Sequence, residues 1–176
     1  MSVVTCAIES ARLRLRQFVK ADAAFILELL TDPEFLRHIG DRGVHDIADA
    51  QRYIRESPGA SYSRYGFGLY ALERKDGGPV LGMCGLLRRD THPDVELGFA
   101  LLPAARGHGY AREAAAATLR YAVQELQLTR LVALTAPDNT ASIRILNELG
   151  FRFERMAKLS PSGPSRVFVF EAAKPS

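Results

Sequence analysis

Val95-Glu96-Leu97-Gly98-Phe99-Ala100-Leu101 leads, four residues later, into Arg106-Gly107-His108-Gly109-Tyr110-Ala111. The first stretch alternates, with Val95, Leu97, Phe99 and Leu101 on one face and Glu96, Gly98 and Ala100 on the other, which predicts a strand. The second is a Gly-containing loop that feeds an amphipathic helix over Tyr110–Leu126, with Ala115, Leu119, Ala122, Val123 and Leu126 facing inward. A strand face of one carboxylate and two very small residues is able to lie against a ligand instead of a packed core. A helix start leaves N–H groups unpaired, and its macrodipole adds roughly half a positive charge. Glycines before the first turn let the backbone wrap closely around an anion, so the loop suits a phosphate or pyrophosphate. The plainer alternatives are glycines that only shape a turn and a Glu96 that is solvated. GxxxxGK[ST] and GxGxxG are both absent, which excludes a P-loop and a dinucleotide fingerprint.

Working outward, Ser10–Gln17 alternates around Leu13 and Leu15 and predicts a half-buried strand. Lys20–Leu30 places Ala23, Ile26, Leu27 and Leu30 at helical spacing, and Asp32-Pro33 ends that helix. His45–Glu56 predicts a second, weaker helix around Ile47, Ala50 and Ile54. Phe67–Leu72 and Val80–Leu87 read as strands of a hairpin across Lys75-Asp76-Gly77-Gly78. Downstream, Arg130–Thr135 is a strand and Asn139–Leu149 a helix closed by Gly150. Phe151–Lys158 and Arg166–Glu171 are the last strands, across a Pro/Ser/Gly loop. The order βααβββαβαββ predicts one α/β domain with a mixed (α+β) sheet over residues 1–176, a length that fits a single core.

Composition narrows the function. At 47% apolar and 24% charged the chain reads as a globular protein, neither disordered nor fibrous. The net charge is only +3 and the arginines are scattered, without the basic stripe and interleaved aromatics of a nucleic-acid binder. No run of ~18 apolar residues exists, so no membrane span is expected. The first residues lack the charged and apolar regions of a signal peptide, so a cytoplasmic protein is expected. Cys6 and Cys84 have neither disulfide-framework nor metal-ligand spacing, and His38, His45, His92 and His108 form no HxxxH or HxH pair, so no metal is expected. Cys84, in mid-strand, reads as a small buried apolar residue rather than a nucleophile that carries an acyl group.

A further constellation lies beyond the loop. Asp138-Asn139-Thr140-Ala141-Ser142 starts the next helix and puts Asn139 and Ser142 on one face of it. A structural role for these residues is equally simple: Asp138 or Asn139 as N-cap and Ser142 as a first-turn serine.

Taken together, strand, Arg106-Gly-His-Gly-Tyr-Ala111, long helix, strand, Asn139-x-x-Ser142 and Leu149-Gly150-Phe151 resemble the GNAT superfamily of acetyl-CoA-dependent N-acetyltransferases. The superfamily's Q/R-x-x-G-x-G/A motif is matched at Arg106, Gly109 and Ala111. Arg12-Leu-Arg-Leu-Arg16, Glu96-Leu-Gly-Phe99 and Asn139-x-x-Ser142 are similar to its ribosomal-protein N-acetyltransferase branch. The resemblance spans roughly Ala11 to Glu171. It implies a GNAT-like acyl-CoA N-acyltransferase fold, splayed between the fourth and fifth strands, with acetyl-CoA as cosubstrate in the splay. It implies that amides of Arg106, Gly107, His108, Gly109, Tyr110 and Ala111 hold the pyrophosphate, that Phe99, Ala100 and Leu101 pair with the pantetheine, that Asn139 hydrogen-bonds the pantetheine arm, and that Ser142 lies near the thioester sulfur.

The implied chemistry is attack of a neutral amine on the thioester in a ternary complex. Glu96, directly or through water, is the candidate base, with a structural carboxylate as its rival. A strand amide near Phe99–Leu101 is the candidate oxyanion donor. Many relatives carry a tyrosine general acid five positions before the phenylalanine of the Gly-Phe pair; here that position is Leu146, which leaves Ser142, a water or no protein acid to protonate the thiolate. By the same resemblance, acceptor choice resides in Glu34–Asp46 and Ser160–Ser165, where Glu34, Asp41 and Asp46 offer negative charge to an ammonium or a peptide N-terminus and Arg37 and Arg42 oppose a strongly acidic pocket. An acceptor amine is the expected partner, and a homodimer is common among relatives. Two other classes stay open: an acyl-CoA-binding sensor without catalysis, and a nucleotide- or phosphate-binding module that shares only the loop.

Overall fold

The computed structural model describes residues 5–160 and 163–173. The chain begins with a hairpin where the sequence predicts one strand: β1 (Cys6–Glu9) pairs antiparallel with β2 (Leu13–Arg16). The register shifts between Cys6 and Ile8, and this irregularity hides β1 from a reading of alternation.

Three helical pieces follow. The helix α1 (Ala23–Leu30) ends where expected. Pro33, read from sequence only as a terminator, also opens a new helix, α2 (Pro33–His38), at whose first turn its missing N–H costs nothing. Asp32 caps α2 by accepting from the Phe35 amide at 3.2 Å. The third helix, α3 (Ile47–Ile54), runs through a wide turn at Arg55–Gly59, around Pro58, into α4 (Ala60–Tyr65).

The strands β3 (Leu69–Arg74), β4 (Gly82–Leu87) and β5 (Val95–Leu101) form an antiparallel meander. Then come α5 (Tyr110–Gln124), β6 (Arg130–Thr135), α6 (Thr140–Glu148), β7 (Arg152–Ser160) and β8 (Gly163–Glu171). The mixed sheet runs β1-β2-β3-β4-β5-β6-β8-β7. The expected loop at Ser160–Ser165 is instead a hairpin that pairs as far as Ser160 and Gly163, with Pro161 and Ser162 outside the described residues.

Both faces of the sheet are covered, and β3 shows how. Leu69 and Ala71 join the core under α1 and α3 with Ile26, Leu29 and Ile54, while Tyr70 and Leu72 join the opposite core with Ala114 and Ala117 of α5. Burial on both sides explains why β3 reads as a continuous apolar run. A third core, around Leu97, Leu131, Leu146, Phe151 and Phe168, seats α6 against the second half of the sheet.

The decisive feature is the seam between β5 and β6. They pair in parallel only at Val95–Leu131 and Glu96–Val132. Beyond that point β6 continues with β8, and β5 continues with β4 as far as Leu101. The strands therefore diverge after Glu96, and beyond it the side of β5 that would face β6 has no strand partner. This is the splay expected between the fourth and fifth strands, its numbering advanced by one because of β1.

Candidate functional site

The splay opens into two cavities of about 320 and 330 Å³ that share walls at Phe99, Asn139 and Ser142. The second is lined by Phe99, Ala100, Leu101, Arg106, Ala111 and Asn139, residues that the sequence nominated separately. The first reaches deeper, to Glu96 and Leu146. Gly107, His108, Gly109 and Tyr110 line neither cavity.

At the outer end the loop is built to present amides. Gly107 and Gly109 take φ of +81° and +78°, left-handed values that glycine adopts without a Cβ penalty. Among the described residues, no hydrogen-bond acceptor is found for the amides from Gly107 to Arg112. Six consecutive free donors at the start of a 15-residue helix form an anion cradle. The amide of Arg106 is engaged with the Pro103 carbonyl at 3.2 Å, so the cradle begins one residue later than expected. The Arg106 side chain braces the groove instead: its Nη2 donates to Asp32 Oδ2 at 2.9 Å and to the Leu101 carbonyl at 3.1 Å.

Arg12 steadies this loop from across the fold. Its Nη1 donates to the His108 carbonyl at 3.0 Å and its Nε to Glu113 Oε2 at 2.7 Å, while the guanidinium lies 4.7 Å from the Tyr110 ring centre. His108, which is exposed, stacks on Tyr110, which packs against the core beneath α5. Arg12 was visible in the sequence as a motif residue, but nothing local linked it to a loop some ninety-six residues away.

On the facing wall, Asn139 is the N-cap of α6, its Oδ1 accepting from the Ser142 amide at 3.2 Å. The structural reading of Asn139 is thus realised, and its side-chain NH₂ remains available to the groove it lines. Asp138 is turned to Arg37 Nη2 at 2.6 Å. Leu146 is fully buried.

Glu96 is 4% exposed, so the plainer alternative of a solvated carboxylate does not hold. It accepts from Arg89 Nε at 2.6 Å, and His92 Nε2 stands 3.7 Å away, just beyond hydrogen-bond distance. Burial alone would push its carboxyl up, but the His92 imidazole and the Arg89 guanidinium outweigh it and hold the pKa below the usual carboxylate value. Sequence reading missed Arg89, although the hairpin register that pairs Leu87 with Glu96 puts Arg89 beside it. Three buried side-chain atoms lack a partner among the described residues: His38 Nδ1, His92 Nε2 and Thr135 Oγ1. His38 and Thr135 line the deeper cavity, as expected of walls shaped for a polar ligand.

A free-amide cradle, an open strand edge and an orphaned polar wall, strung along one groove, fit a long anionic thioester such as acetyl-CoA. The profile of the family described as "Acetyltransferase (GNAT) domain" matches residues 12–152. The chain belongs to the GNAT acetyltransferase family. This acetyltransferase is 31% identical over 147 residues to the protein YkkB of Bacillus subtilis (strain 168), covering 82% of this chain and 84% of that one. It also resembles the crystal structure of a GNAT-family acetyltransferase from Bacillus anthracis, at 25% identity and a TM-score of 0.78 over 93% and 97% of the two chains. RimJ of Mycobacterium smegmatis, solved in complex with CoA-disulfide, shares the fold at a TM-score of 0.74 and 21% identity, over 96% of this chain and 87% of that one. The enzyme is an N-acetyltransferase. No group of His, Cys, Asp and Glu able to hold a metal occurs among the described residues, nor does any helix long and apolar enough to cross a membrane.

Proposed function

We propose that the enzyme transfers the acetyl group of acetyl-CoA to a primary amine, on a protein N-terminus or a small molecule, by direct attack in a ternary complex. The reading rests chiefly on one observation: the run of free amides from Gly107 to Arg112 and the unpaired edge of β5 lead into a cavity that holds Glu96 and Ser142. The cradle amides and the α5 dipole would hold the pyrophosphate. Main-chain groups of Phe99 to Leu101 would pair with the pantetheine like an added strand, and Asn139 would bond the same arm.

Acetyl-CoA supplies an acyl thioester, at which an N–C bond forms as the C–S bond breaks and the thiolate leaves. The chain contributes proximity first, because two walls hold both substrates in one cavity. Glu96 relays the ammonium proton toward solvent, directly or through water, with His92 and Arg89 holding it ionised between turnovers. A strand amide near Phe99–Leu101 donates to the carbonyl oxygen as it gains charge. Ser142, or a water beside it, returns a proton to the leaving sulfur, since Leu146 has none to give. A cytoplasmic location belongs to the same proposal, because acetyl-CoA is made and consumed there.

Calorimetric titration with acetyl-CoA, with ATP and NAD as controls, tests the cofactor. Micromolar binding of acetyl-CoA alone is expected, and equal binding of all three would overturn the reading. Leu146 at the position of the usual acid favours the sensor alternative, which measurable thiol release with any amine would eliminate.

A further inference from the structure

The segment Glu34–Asp46 offers three carboxylates to an incoming ammonium, yet each is engaged elsewhere. Glu34 Oε2 lies 3.1 Å from His38 Nε2, Asp41 Oδ1 accepts from the Gly43 amide at 2.7 Å, and Asp46 caps α3 by accepting from the Asp49 amide at 2.7 Å. None of the three lines the deeper cavity. The same segment instead sends Arg42 into its wall, where Arg88 and Arg89 join it from the end of β4.

The charge balance of that cavity is one-sided. Arg42, Arg88 and Arg89 line it against a single carboxylate, Glu96, which is already paired with Arg89, although the Arg88 guanidinium lies over the Tyr65 ring in the neighbouring groove. Neither Arg42 nor Arg88 makes an ion pair among the described residues. Arg42 as a residue stays open to solvent, but its guanidinium is crowded by protein and repelled by Arg89, and both effects lower its pKa. An arginine so placed makes no ion pair of its own, the Glu96 carboxylate attracting it only weakly from its pairing with Arg89, and an anion in the cavity would offset both costs. Tyr53, on the same wall, keeps its proton because burial raises its pKa, so its hydroxyl remains a neutral donor. Glu56 and Asp90 line a neighbouring groove, where Arg64 and Arg88 face them.

Building on the reading of this cavity as an acetyl-transfer centre, we propose that the acceptor is an amine that also carries an anionic group, and that Arg42 receives that group. The acceptor class is then an amino-carboxylate or an amine with an acidic neighbour, not a polyamine. The amine sits toward Glu96 and Ser142 and the anion toward Arg42. Arg42 selects the acceptor and takes no part in bond making.

Matched acceptors test this, with turnover read as thiol release from acetyl-CoA. Leucine and phenylalanine are compared with their α-amides, an amidated Ala-Asp-Ala peptide with amidated Ala-Asn-Ala, and all with spermidine, each rate being expressed per free amine because a neighbouring carboxylate makes an α-ammonium a weaker acid. Each anionic member of at least one pair should exceed its neutral partner about tenfold or more in kcat/KM, as a charge-assisted bond to guanidinium implies. A preference confined to the free acids identifies a small amino acid, and one confined to the acidic peptide identifies an acidic N-terminus. Arg42→Gln should collapse that ratio while acetyl-CoA affinity and Tm hold, and Arg42→Lys should restore part of it. A preference for amides or spermidine, or an unchanged ratio in Arg42→Gln, overturns the proposal. If no amine releases thiol, the transferase reading is what fails. Titration of the same pairs into CoA-saturated protein then decides the anion site, and equal heats for acid and amide overturn it.

Discussion

Arg89 and Glu96 meet at the turn end of the β4–β5 hairpin, Nε to Oε2 at 2.6 Å, and with His92 this pair sets the state of the one carboxylate in the reaction cavity. With its pKa below the usual carboxylate value, Glu96 is ionised throughout the neutral range and protonates only as pH falls well into acid. An acceptor α-ammonium, with a pKa near ~8, is what changes state around neutrality. Glu96→Gln should therefore lower turnover by about 10²-fold near pH 7, where a proton must be taken from the ammonium, and by less near pH 9, where the amine is already free. A pH–rate profile of the variant checks this. An equal loss at every pH would give Glu96 a purely structural role with Arg89.

The anion cradle makes a separate claim. Gly109 has φ of +78°, and an added Cβ would meet only Arg12 Nη2, at 3.4 Å. Asp and Asn both tolerate the left-handed region better than other residues, so Gly109→Asp and Gly109→Asn carry similar strain and differ in charge. The Asp variant should weaken acetyl-CoA binding by roughly 100-fold and the Asn variant by far less, with Tm nearly the same for both. Calorimetry with acetyl-CoA reads the difference. Equal affinities would mean that the free amides of this loop hold no phosphate.

Stability depends on a buried charge cluster on the far side of the sheet from α5. Arg16 donates to both oxygens of Asp22, at 2.8 and 3.0 Å, and its Nε to Glu73 at 2.5 Å. Asp22 also accepts from the Val19 amide at 2.9 Å, so it ties β2 to the start of the first helix. Asp22→Ala would leave Arg16 with half its partners while still buried, at a cost of about 3–5 kcal/mol. Chemical denaturation should show this as a drop in midpoint. A loss under 1 kcal/mol would mean that water replaces the carboxylate.

The sequence carried the second half of this fold more fully than the first, for identifiable reasons. Between Val95 and Phe151, strand and helix alternate with clear periods, and glycines mark the turns, so the elements and the groove residues fell into place. The first half hides its structure in irregularities: a shifted register in β1, a proline that starts α2 as well as closing α1, and a wide turn at Pro58 that carries α3 into α4. In the site, residues nominated by local motif were brought together along the splay. Arg12 and Arg89 were not nominated for the site, because their meaning lies in pairing across sheet and loop, which periodicity does not encode; Arg42 was read only as opposing an acidic pocket, because the cavity it lines is assembled from distant strands.

Cys84 bears on whether the acetyl group ever rests on the protein. It lies in the middle of β4, fully buried, with its sulfur 3.4 Å from Thr118 Oγ1 on the α5 side, away from the splay. Burial pushes its thiol up to about 12, so almost no thiolate exists at neutral pH, and a thiol is a far weaker nucleophile. Cys6 is exposed, on the first strand, where burial of its sulfur and the Glu9 carboxylate also raise its pKa. Neither cysteine is placed to carry an acyl group. Cys84→Ala should keep turnover within about twofold of the parent while losing some stability, because the space vacated is small. Intact-mass measurement after mixing with acetyl-CoA alone should show no added acetyl group, and initial rates against both substrates should give intersecting lines. Parallel lines, or a 42 Da adduct that Cys84→Ala abolishes, would establish a covalent intermediate and end the direct-transfer mechanism.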